Sequence, residues 1–196
     1  VTITNITLGQ SFTPQLVVTH AKTVHLFTLG QPASPALSIL AESGNPAPLI
    51  EQLGTSANDA QVIPALLSPG QSATVTVKGH PNLGFLSVAA MMIPTNDNFV
   101  AVNKLRLPKR GSKTIMASFY DAGTEYNDQN CANIPGPRCG GIALSDPNPE
   151  TDEGYVHISN GFHDLGDYDE AGNEILKPQH YDWRNSVAIV TVERVH

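Results

Sequence analysis

This sequence predicts an all-β fold: an antiparallel sandwich of about eight short strands with a small helical insertion. Three observations lead there. Apolar and polar residues alternate with period two in several short runs, the pattern of half-buried strands. Sixteen glycines and 15 prolines break the 196-residue chain into many short segments. Helix signals are confined to one place, between the early strands and the middle of the chain.

Taken in order, "VTITNITL" alternates Val1 and Ile3 with Thr2 and Thr4. "QLVVTH" and "VHLFTL" follow, and the intervening "AKT" reads as the turn of a hairpin. In "SPALSILAESG", Ser34 suits an N-cap, Pro35 the first helical position and Gly44 the residue past the end. "PAPLIEQLG" reads as a second short helix stopped by Gly54, and both helices lie in the crossover to the next strand. "SATVTVKG" alternates again, whereas "GFLSVAAMMI" is continuously apolar, as a strand buried on both faces would be. "KTIMASFYD", "GYVHISNGF" and "SVAIVTVERV" complete the set. The length suits one domain, residues 1–196, with residues 127–178 as a long irregular acidic excursion.

The charge distribution narrows the function. A net charge of −7, from 11 basic and 18 acidic residues, excludes the basic stripe of a nucleic-acid binder. "KLRLPKRGSK", Lys104 to Lys113, holds five of the positive charges and reads as a solvated loop, or else as a patch for an anionic glycan or headgroup. No Lys or Arg falls between Arg138 and Lys177, while nine acids lie between Asp146 and Glu174. Such a segment repels itself unless solvated or neutralised by cations.

Cys131 and Cys139 flank a Gly- and Pro-rich loop that a disulfide can close, which implies an oxidising compartment; two free thiols are the alternative. No apolar span of 18 or more residues is present, so no transmembrane segment is expected. The chain starts on a strand-like segment without Met and reads as a mature protein after signal-peptide removal: secreted, periplasmic or cell-surface. "NIT" at Asn5 fits an N-glycosylation acceptor.

Two metal chemistries compete. "TNDNF" ends one strand at Asp97, and "FYDAGTEYND" ends another with Asp121 and Glu125 across an Ala–Gly–Thr turn. Three carboxylates on converging loops suit a hard, oxygen-seeking cation such as Ca²⁺. "DYDEAG" imitates the start of an EF-hand loop, but Pro178 stands where the twelfth-position Glu belongs, so it reads as an exposed acidic loop. The rival is a copper or zinc site in which His20, His163, His157 and His80 supply nitrogen ligands. A hydrolase using paired carboxylates is a third reading; Asp121 and Glu125 lie too close in one loop to face opposite sides of a sugar.

The order "FTPQLVVTH", "MMIPTNDNFVAV", "FYDAGTE", "IPGP", "GFHDLGD" and "YDWRNSVAIVTVERV" resembles the spondin N-terminal domain family over about Phe12 to Val195. The resemblance is to the stand-alone bacterial members rather than to the animal ones. The resemblance implies an eight-stranded, C2-like β-sandwich that is secreted and non-enzymatic. It further implies Ca²⁺ binding and recognition of an extracellular or cell-surface ligand, protein or glycan, as in adhesion. The family's metal-site acids match Asp97, Asp121 and Glu125, with Glu125 standing where animal members have Asp. Thrombospondin repeats, which accompany the domain in animals, are absent from this sequence. The cysteine pair and the acidic stretch from Asp146 to Glu174 lie outside the family pattern.

Overall fold

A computed structural model describes residues 1–80, 84–162, 167–169, 171–183 and 186–195. Its elements run β1 (Thr2–Asn5), β2 (Ser11–Phe12), β3 (Gln15–His20), α1 (Pro35–Ser43), α2 (Ala47–Leu53), β4 (Ala57–Ile63), β5 (Ser72–Thr74), β6 (Phe85–Ile93), β7 (Asn98–Arg106), β8 (Ser112–Asp121), β9 (His157–Ile158), α3 (Pro178–Tyr181) and β10 (Ala188–Glu193). Eight strands form one antiparallel path, β4-β3-β6-β7-β8-β10-β1-β5, with the short β2 on β6 and β9 on β8. The eight-stranded antiparallel sandwich is therefore present.

The sandwich arises because β8 changes partner along its length. Its first part, Ser112–Ala117, pairs with β10, and its last part, Ser118–Asp121, pairs with β7. Two layers thus diverge from β8: β3, β4, β6 and β7 on one side, β1, β5 and β10 on the other. Between them lie Phe12, Val17, Val88, Ala90, Met92, Val100, Phe119 and Val190. Beyond β5 the chain returns to β4, where Asn58 Nδ2 donates to the Lys78 carbonyl at 2.7 Å and Asp59 Oδ2 accepts from Lys78 N–H at 2.7 Å. Side-chain bonds in place of a ladder nearly close the barrel.

Helices cover the outer face of the β3–β6–β7 layer. Leu37, Leu40, Leu49 and Leu53 pack on Leu16, Val18, Ala89, Phe99 and Ala101. This explains the unbroken apolar run of β6, in which every residue after Phe85 is buried. The caps of α1 follow the sequence: Ser34 Oγ accepts from Leu37 N–H at 3.2 Å, and Gly44 takes a left-handed φ of 71°.

Three expectations are corrected. "VHLFTL" forms no strand, because the Asn103 side chain bonds the backbone of Leu26 at 3.2 Å and Phe27 at 2.8 Å, where a ladder partner would sit. The place beside β3 goes to β4, whose "ANDAQVI" carries too few apolar residues to read as a strand. Asn5 is fully buried, donating through Nδ2 to the carbonyls of Gln10 (2.8 Å) and Leu67 (2.9 Å). It is not an accessible glycosylation site in the folded chain.

Candidate metal centre

The β6–β7 turn brings Asp97 to one end of the sandwich. Thr95 Oγ1 staples that turn, donating to the Met92 carbonyl and accepting from Asn98 N–H at 3.2 Å. Asn96 ties it to the next loop, through Nδ2 to Asp128 (3.0 Å) and through Oδ1 from Gln129 N–H (3.2 Å). Asp97, fully buried, then crosses to the β8 end: its Oδ2 accepts from Thr124 N–H (2.7 Å), Glu125 N–H (3.2 Å) and Thr124 Oγ1 (3.3 Å). The "YDAGTE" loop is thereby folded around the Asp97 carboxylate.

Asp121, at the end of β8, is 2% exposed. Its Oδ1 accepts from Gly123 N–H at 2.8 Å and lies 3.4 Å from His157 Nε2; its Oδ2 accepts from Asn127 Nδ2 at 2.9 Å. The same Asn127 amide reaches Glu153 Oε1 at 3.1 Å. Gly123 makes this assembly possible. It has φ +68°, and a Cβ there would lie 2.3 Å from the Tyr155 carbonyl oxygen. Only glycine lets the 153–157 segment lie this close to the turn.

Glu125 is buried, and its Oε1 accepts from Ser145 Oγ. Ser145 N–H in turn donates to Glu42 Oε2 at 3.3 Å, so a buried glutamate from α1 joins the same network.

Four buried carboxylates with little cationic compensation set the electrostatics. Burial pushes Asp97 well above the usual carboxylate range, the Asp121 charge adds to it, and the Thr124 and Glu125 N–H groups oppose it. Burial likewise raises Asp121, against the pull of His157 and Asn127. Burial pushes Glu125 up to about 7, opposed by the Ser145 bond and reinforced by the Glu42, Asp128 and Asp152 charges. Asp97 Oδ1, Glu125 Oε2 and His157 Nε2 are buried and have no hydrogen-bond partner among the described residues. Buried acceptors left in this state are costly, and a bound cation satisfies them. The donor set therefore fits a metal ion.

Among the described residues, ligand atoms of Asp121, Glu153 and His157 all lie within 4.8 Å of one another. Asp97 and Glu125 stand outside this trio, linked to it through the Asp97–Asp121 repulsion and the turn they share. Of the sequence-derived histidines, His157 belongs to this trio, whereas His20 and His80 do not. His20 is buried with both ring nitrogens engaged, by Ser87 Oγ at 2.8 Å and the Ala21 carbonyl at 2.8 Å, and burial lowers its pKa. His80 is exposed. His163 lies outside the described residues. Glu153, Asn127, Ser145 and Glu42 escaped the sequence reading, because none sits in a spacing that marks a ligand.

A family model described as Spondin_N matches residues 5–155, a span that includes Asp97, Asp121, Glu125 and Glu153. A search of curated proteins finds no match.

Proposed function

The chain belongs to the Spondin_N family, and from that premise we propose that it is a calcium-binding module for recognition or adhesion outside the cell. The family is one of extracellular recognition and structural modules. The Cys131–Cys139 disulfide is formed. Among the described residues no helix is long and apolar enough to cross a membrane. Each fits a secreted, periplasmic or surface-held protein.

One observation carries the calcium reading: Asp97 Oδ1 and Glu125 Oε2 are buried without a partner among the described residues, at the end of the sandwich where Asp121 also lies. Ca²⁺ takes six to eight oxygen ligands and tolerates irregular geometry. Asp97, Asp121 and Glu125 would hold it, with loop carbonyls completing the set. The ion would cancel their repulsion and lock the β6–β7 turn to the "YDAGTE" loop. A fixed set of loops at one end of a rigid sandwich presents a single surface to a protein or glycan ligand. The reading assigns no catalytic step.

A second reading is favoured by the Asp121–Glu153–His157 trio. An imidazole nitrogen beside two carboxylates suits zinc or copper better than calcium. Elemental analysis of the purified protein, after dialysis against equal calcium, zinc and copper, separates the two. One calcium per chain supports the first reading. Zinc or copper in its place, lost in His157→Ala, supports the second, and no bound metal overturns both.

A further inference from the structure

The bare interval between Arg138 and Lys177, which contains no other cation in sequence, folds so that its two ends meet. Arg138 precedes Cys139 in the disulfide-closed loop, and its Nε and Nη2 donate to the Ile175 carbonyl at 3.2 and 2.7 Å. That carbonyl lies two residues before Lys177. With His180 and Tyr181 of α3, Arg138 and Lys177 line an open surface cavity of about 250 Å³, in which Arg138, Lys177 and His180 are exposed.

Both walls are firmly held. Cys131, Ile134, Phe162 and Leu176 form a small buried core of their own, with Tyr181 packed against it. The Tyr181 ring rests on Phe162 at 5.5 Å between centroids. At Gly9 an added Cβ would lie 2.4 Å from the His180 carbonyl oxygen, so α3 is seated directly on the β1–β2 loop.

The charge pattern is the reverse of the surrounding sequence. In a chain of net charge −7, three basic side chains converge here, and no ion pair joins any of them to a carboxylate among the described residues. The Ile175 carbonyl orients the guanidinium without neutralising it. An arginine has five N–H donors, so three have no partner among the described residues, in a fork that matches two oxygens of one anion. Lys177 adds a mobile point charge and His180 a ring donor. Ligand pockets for drug-sized molecules run to roughly 300–1,000 Å³, so this cavity suits a smaller group.

We propose that this cavity is an oxyanion-binding subsite, taking the carboxylate of an acidic sugar or the sulfate or phosphate ester of a glycan. It lies on the disulfide loop and α3, and it does not depend on the calcium reading.

The test is a titration of the full chain, as isolated and at low ionic strength, with sodium sulfate and with sodium glucuronate, followed by amide NMR. Saturable shifts around Arg138 and Lys177–Tyr181 are expected with at least one probe. A stronger response to sulfate assigns a tetrahedral ester, and a stronger response to glucuronate assigns a carboxylate. Arg138→Gln should weaken binding at least about tenfold, the loss expected for a charged hydrogen bond. Lys177→Gln, an exposed side chain whose loss leaves the fold intact, should weaken it by a smaller factor. Lys109→Gln, on the other basic cluster, should leave it unchanged. No saturation with either probe overturns the proposal, as does an Arg138→Gln or Lys177→Gln variant that binds like Lys109→Gln.

Discussion

The two ends of strands β7 and β8 make an instructive contrast. At one end Asp97, Asp121 and Glu125 are at most 3% exposed. At the other, Lys109 and Arg110 in the turn between the strands and Lys113 at the start of β8 are exposed. Both ends look like charge clusters in the sequence. Their physics differs because water solvates the basic turn at almost no cost, whereas the acids have exchanged water for a few N–H groups and for one another. Buried charge demands a counter-charge, and exposed charge does not.

On the calcium reading proposed above, the ion should be the largest lever on that contrast. At a concentration a hundredfold above Kd it should add about 2.7 kcal/mol. For a chain of this size that is a rise of about 5–10 °C in Tm, reversed by chelator. Asp121→Ala should abolish the response, and a calcium-independent melting curve in the parent protein would break the contrast outright.

Asp97→Asn sharpens it further. An amide oxygen can still accept from Thr124 and Glu125 N–H, while the buried negative charge disappears. The variant should lose its calcium response yet melt about 2–4 °C above the metal-free parent, reflecting roughly 1 kcal/mol of relieved repulsion. A site selected only for stability would give the opposite result, a plain loss.

The pH dependence of the metal-free protein is smaller but carries a definite sign. Because Glu125 titrates at about 7 in the fold and near 4.5 when unfolded, the folded state binds the extra proton between those values. Metal-free stability should therefore fall as pH rises from about 4.5 to 7. With calcium holding the carboxylates ionised the trend should reverse, since protons then compete with the ion. Thermal melts at half-unit pH steps, with and without calcium, would show the two slopes.

The basic turn supplies the smallest effect. Lys109→Gln and Arg110→Gln should change stability by no more than about 0.5 kcal/mol, calcium present or not. A calcium-dependent change there would mean that the two ends are coupled.

How far the sequence reveals this arrangement depends on the range of the forces involved. The caps of α1 and the alternation in β1 act over a few residues, so Ser34, Gly44 and Ile3 read correctly. β4 does not, since it is held at the layer's margin by pairing with β3 and has no apolar stripe of its own. "VHLFTL" misleads in the opposite direction, because Asn103, remote in sequence, takes over the bonds a partner strand would make. The site divides in the same way. Asp97, Asp121 and Glu125 stand out because Asp121 ends a strand and the other two lie in turn-rich motifs beside strand ends. Glu153 and His157 reach Asp121 only because Gly123 admits the Tyr155 backbone, a contact with no trace in local spacing. His20 was an attractive ligand until the neighbouring strand supplied Ser87.

The partner exchange of β8 has a consequence for motion as well as for architecture. Ser118–Asp121 is the one stretch of β8 where the ladder joins it to β7, while Ser112–Ala117 belongs to the other layer. The layers should therefore open more readily at the basic end than at the acid end, as covers open about a spine. Hydrogen–deuterium exchange should record this as a gradient along a single strand, rapid near Ser112 and slow near Asp121. A ligand bound at the acid end would grip the spine itself, and would slow the opening of both covers at once.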